Sequence, residues 1–304
     1  MSRIEKAIEI ATRQRNAAAV DGQPPSAAMP ADPVVADATP VMPDPDGKVL
    51  LRQSTAFQEE KPRQHLNLPP GANPCLVMAN AVDSPAAEQY RKLKSNVMKL
   101  LKGGNGKQSL MVTSAMSGEG KSLTALNLAI SLAQEYDYTV LLIEADLRKP
   151  SLLQYLGIQA DVGLSDCVLD GVDVGAALIK IGIGNLSLLP AGRPVDNPVE
   201  LFSSSRMQEL IAEVNGRYPD RVVIIDTTPL LPFAEPQYLA GIVDGIILVV
   251  RENYTTVDKL KRALEVLKNH NLLGVVSNGV SRATSLDGYY GYYGYYGNRY
   301  QKKL

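Results

Sequence analysis

The chain has 304 residues, 45% of them apolar, which is enough for a core of its own. Its 31 basic residues stand against 32 acidic ones, so no bulk charge draws it to nucleic acid or to an anionic membrane. Cys75 and Cys167 are too few for a disulfide framework or a zinc site, and no apolar run reaches the roughly 18 residues of a membrane span or forms a signal-peptide core, which points to a cytoplasmic protein.

The opening "MSRIEKAIEIATRQRN" puts Ile4, Ala7, Ile8 and Ala11 on one stripe of an amphipathic helix over residues 1–16. That helix either docks to a partner or membrane surface or packs on its own domain. Residues 17–74 lack periodicity and carry eleven of the twenty prolines, the composition of a linker. Ser84 to Lys102 then reads as a helix that starts at a Ser-Pro cap and stops at Gly103-Gly104. Apolar strands are expected at Leu110–Thr113, Val140–Glu144, Leu186–Leu189, Val222–Ile225, Ile246–Val250 and Gly274–Ser277. Helices are expected near 122–135, 199–214, 235–241 and 256–269. Continuous apolar strands alternating with helices predict an α/β domain over residues 75–284: a doubly wound, mostly parallel sheet with helices on both faces. The last segment, 285–304, is a Gly-interrupted tail without helix or core potential, expected to be disordered. It holds seven of the fourteen tyrosines: Tyr289, Tyr290, Tyr292, Tyr293, Tyr295, Tyr296 and Tyr300.

Within the domain, "SLMVTSAMSGEGKSLTALNLAISLA" runs strand, loop, helix. Ala115 to Ser122 spells the Walker A pattern with Ala at its first position. Ser117, Gly118, Glu119 and Gly120 would wrap phosphate oxygens, Lys121 would reach the β- and γ-phosphates, and the Ser122 hydroxyl would ligate magnesium. This is a P-loop NTPase-like arrangement. "TVLLIEADLRKP" brings Glu144 and Asp146, and "RVVIIDTTP" brings Asp226, to the strand ends where open α/β sheets bind ligands. Asp146 and Asp226 suit the water shell of a magnesium ion on a triphosphate. Asn278 either offers its amide to a purine edge or simply turns the chain before Gly279.

Together "SAMSGEGKS", "LLIEADLRKP", "VVIIDTTP" and the tyrosine tail resemble the bacterial tyrosine kinases that govern exopolysaccharide and capsule synthesis. The opening helix and linker are similar to the separate cytoplasmic kinases of exosortase-associated gene clusters. The resemblance implies an ATP- and magnesium-dependent kinase, peripheral to the inner membrane, that phosphorylates its own tail, usually on a neighbouring subunit. It implies a transmembrane polysaccharide chain-length or activator protein and a tyrosine phosphatase as partners. Glu144 occupies the family's base position, where most relatives carry Asp; the extra methylene moves the carboxylate by about 1.5 Å. Arg148 resembles an arginine that contacts phosphate or caps the strand end. Glu88, Arg91 and Lys94 resemble a pattern lining the subunit contact of a ring, with Lys94 in place of the last Arg and hence without its planar fork. The alternatives are a MinD/ParA-like ATPase, whose early loop lysine is here Met116, and a nucleotide-binding scaffold weakened in catalysis by Glu144.

Overall fold

The computed structural model describes residues 72–102, 109–135, 138–216 and 221–281. The expected N-terminal helix, nearly all of the linker and the tyrosine tail lie outside these residues. Among the described residues no helix is long and apolar enough to cross a membrane.

A short helix α1 (Val77–Asn80) leads into α2 (Pro85–Lys102). Ser84 caps α2 by accepting from the Ala87 amide at 3.1 Å, and Pro85 fills the first helical position, where a missing N–H costs nothing. Residues 72–74, just before, already pack on the domain: Ala72 lies against the core, and the Asn73 amide donates to the Tyr155 carbonyl at 3.1 Å.

Seven strands form one sheet: β1 (Ser109–Ser114), β2 (Thr139–Glu144), β3 (Ile179–Lys180), β4 (Leu186–Leu189), β5 (Arg221–Asp226), β6 (Gly245–Arg251) and β7 (Leu272–Asn278). Their spatial order is β3-β4-β2-β5-β1-β6-β7, parallel throughout except for the β3–β4 pair. Residues alternate across the sheet. Leu110, Val112, Val140, Leu142, Val222 and Ile224 pack in one cluster with α3 (Lys121–Ala133). Their neighbours Met111, Leu141, Ile143, Val223 and Ile225 are equally buried, so both faces are covered, as the unbroken apolar runs predicted. Helix α3 itself is buried nearly all round, lying between the sheet and α2.

Seven helices complete the described domain: α4 (Leu152–Leu156), α5 (Leu164–Leu169), α6 (Val174–Ala177), α7 (Pro198–Ser203), α8 (Ser205–Gly216), α9 (Glu235–Ala240) and α10 (Val257–Val266). The single helix expected over 199–214 is two. Ser204 leaves the helical region at φ −71°, ψ 149°, and its hydroxyl accepts from the Met207 amide at 3.2 Å, starting α8 afresh. A serine hydroxyl competes well for a free backbone N–H, which makes it a better cap than a helix interior.

Candidate active site

The loop after β1 turns through Gly118 (φ 82°) and Gly120 (φ 93°), a region that side chains disfavour. At Gly120 a Cβ would also stand 2.0 Å from the Asn278 amide nitrogen, so only glycine fits. The loop feeds α3, whose first residues Lys121 and Ser122 face a cleft of about 860 Å³. Ser117, Gly118, Asp146, Arg148 and Asn278 also line it, together with Tyr90 and Tyr155.

Lys121, Asp146 and Asp226 converge there. The Lys121 ammonium lies 2.6 Å from an Asp146 oxygen, 3.9 Å from Asp226, and donates to the Ser122 hydroxyl at 3.0 Å. Burial disfavours the charged amine, but the Asp226 and Asp146 carboxylates outweigh it and hold Lys121 above its ordinary range. Asp226 is fully buried, and neither carboxylate oxygen accepts a well-formed hydrogen bond, the Ser122 hydroxyl and the Lys121 ammonium being the nearest donors. Burial pushes its pKa up to about 7, with Lys121 and the Ser122 hydroxyl offsetting part of that rise. A buried carboxylate so weakly satisfied, beside Asp146 and a serine hydroxyl, fits a hard cation such as magnesium. Among the described residues no group of three or more His, Cys, Asp and Glu could hold a metal unaided, so such an ion would need phosphate or water oxygens as well.

Glu144 is brought to the same sheet edge, paired in register with Asp226, but it does not line the cleft. One oxygen accepts from the amides of Ser151 at 2.5 Å and Leu152 at 2.6 Å, capping α4; the other has no donor. Burial raises its pKa, against the pull of the Leu152 and Ser151 amides. The longer side chain thus reaches the N-terminus of α4, whose own leading residue Ser151 makes no side-chain cap.

Other expected residues are also held by the protein. Arg148 pairs with buried Glu235 at 2.7 Å and stacks over Phe233, 4.6 Å from the ring centre. Asn278 donates its amide to the Glu119 carbonyl at 2.9 Å and accepts from the Gly279 amide, holding the loop. Glu119 is buried, its carboxylate accepting from the Met116 amide at 2.8 Å and from the Thr255 hydroxyl, so its side chain is committed to the protein. On α2, Arg91 bonds Glu88 at 2.9 Å and the Val82 carbonyl at 2.5 Å, while Lys94 pairs with Glu135 of the same chain. The sequence did not point to Arg251, Tyr254 or Thr255, which contact the phosphate loop from 133 to 137 residues away in the chain. No local pattern marks such partners.

The family model of the CobQ/CobB/MinD/ParA nucleotide-binding domain matches residues 110–289. Tyrosine-protein kinase YwqD of Bacillus subtilis is 38% identical over 207 residues, covering 67% of this chain and 86% of that protein. Tyrosine-protein kinase wzc of Salmonella typhi is 31% identical over 71% of this chain, which spans 30% of that longer protein. The solved kinase domain of the Escherichia coli tyrosine kinase ETK superposes with a TM-score of 0.64 at 28% identity, covering 73% of this chain and 86% of that one. With a nucleotide-binding domain over most of its described length and this identity across nearly the whole of YwqD, the chain belongs to the bacterial tyrosine-protein kinases.

Proposed function

We propose that the chain uses ATP and magnesium to phosphorylate tyrosines of its own terminal cluster, Tyr289 to Tyr300, and thereby regulates exopolysaccharide synthesis or export. The observation that carries this reading is the Lys121–Asp146–Asp226 cluster at the phosphate loop of a chain with seven tyrosines between residues 289 and 300. Lys121 would swing from the acids to the β- and γ-phosphates and stabilise charge on the transferred group. Ser122, Asp146 and Asp226 would hold the magnesium ion, which supplies charge neutralisation on the phosphates.

A tyrosine hydroxyl has a pKa near 10 and must lose its proton as its oxygen bonds to the γ-phosphorus and the bond to the ADP oxygen breaks. We favour Asp146 as acceptor and as a holder of magnesium only through its water shell: Asp146 lines the cleft, and the oxygen it shares with Lys121 at 2.6 Å is freed when Lys121 swings to the phosphates, while the other keeps the Lys149 amide and Glu144 keeps those of Ser151 and Leu152. Delivery of a neighbour's tail through a ring built on Glu88, Arg91 and Lys94, a transmembrane chain-length or activator protein, and a phosphatase that resets the tail all belong to this reading. In its test, Lys121→Met is incubated with ATP and magnesium and probed with an antibody to phosphotyrosine. Nearly complete loss of labelling with an unchanged circular dichroism spectrum is expected. Labelling at the wild-type rate would overturn the site.

A further inference from the structure

A phosphate loop works when its N–H groups converge on the ligand, and in a trans peptide each N–H points opposite the preceding carbonyl. Fixing the carbonyls outward therefore aims the amides inward. Four consecutive carbonyls are fixed in this way here. Ser117 O accepts from the Tyr254 hydroxyl at 3.1 Å, Gly118 O from the Arg251 guanidinium at 3.3 Å, Glu119 O from Asn278 at 2.9 Å, and Gly120 O from the Thr124 amide within α3 at 2.9 Å. The Glu119 side chain adds a further tie, joining the Met116 amide to the Thr255 hydroxyl.

Three of these donors belong to one turn between β6 and α10. The turn is itself braced: the Tyr254 and Thr255 amides donate to the Arg251 carbonyl at 3.2 and 3.0 Å, and the Arg251 amide donates to the Thr255 hydroxyl at 2.9 Å. Asn253 supplies the left-handed residue, φ 57°, that the reversal needs, a conformation asparagine tolerates. The Glu252 amide ties the turn to the end of β7 through the Asn278 carbonyl at 3.0 Å.

We propose that the turn Arg251–Thr255 is a clasp that preorganises the phosphate loop, with Tyr254 and Thr255 as positioning residues for nucleotide binding. The inference rests on the nucleotide reading of the loop and adds to it the residues that set the loop's affinity. Because the loop is held before ligand arrives, the ordering cost is met in folding and not in binding.

The test measures equilibrium binding of ADP to the full chain by calorimetry, which needs no turnover. Tyr254→Phe removes one hydroxyl from a half-exposed residue, and ADP should bind about three- to tenfold more weakly, the range of one hydrogen bond. Thr255→Val, which strips a donor from buried Glu119, should weaken binding by about tenfold or more, and Thr255→Ser should restore it. At saturating ATP, kcat of Tyr254→Phe should stay within about twofold of wild type, so the loss falls on KM. ADP affinities of both Tyr254→Phe and Thr255→Val equal to wild type would overturn the clasp while leaving the nucleotide site standing. A wild-type chain that binds no ADP would overturn the nucleotide reading and the clasp with it.

Discussion

At the floor of the cleft Asp226 has a carboxyl that burial holds near pKa 7, far above the 3.8 of an exposed aspartate. A raised pKa means that the folded protein binds this proton more tightly than the unfolded chain. The stabilisation is full below pH 3.8 and is lost as pH rises through about 7. In metal-free protein, Asp226→Asn should therefore melt higher than wild type at pH 8, and the gap should shrink toward pH 5. A gap that does not change with pH, measured by calorimetry in EDTA, would mean that Asp226 is not titrating in this window. Glu144 makes a different prediction. As a cap on α4 it needs an acceptor oxygen more than a charge, so Glu144→Gln should keep kcat within several-fold, whereas loss of a general base costs about 10²–10⁴. Glu144→Ala leaves the buried Leu152 amide and the half-buried Ser151 amide without an acceptor and should cost about 1–3 kcal/mol in urea unfolding.

Between α7 and α8, Ser204 turns what reads as one amphipathic run into two helices. Ser204→Ala removes the hydroxyl that accepts from Met207 and should cost about 1 kcal/mol, a drop in Tm of about 2–4 °C for a domain of this size. The strands and the long helices were legible in the sequence because each is read from consecutive residues: Leu110–Val112 or Val222–Ile225 is apolar throughout, and "SGEGKS" lies between a strand and a helix. The Ser204 break was not legible, since the apolar spacing of Met207, Leu210, Ile211 and Val214 says where α8 faces but not where it begins. Elements of four to six residues such as α1, α5 and α6 are too short to show a period. In the site, the convergence of Lys121, Asp146 and Asp226 followed from motif and topology. The orientation of Glu144 did not, because it depends on where Ser151 and Leu152 present their amides. Nor did the contacts of Thr255 and Tyr254, which join residues separated by most of the domain.

Across the whole domain, the two halves of the site rest on parts of the sheet with unequal cover. Asp226 and Glu144 end β5 and β2, central strands that are buried along almost their full length. Asn278, which holds the Glu119 carbonyl, ends β7, an edge strand half-buried at every position. Edge strands with little cover open locally, whereas the amides of central strands exchange only when the molecule unfolds. Hydrogen exchange followed by mass spectrometry should therefore find β1 and β5 the slowest segments and β7 among the faster ones; equal protection of β7 and β5 would contradict this gradient. On warming, sub-global opening at β7 would loosen the loop while the acids stay in register, so nucleotide affinity should fade several degrees below the melting temperature. Heat would then silence this kinase reversibly, through its grip on nucleotide, before it denatures the protein.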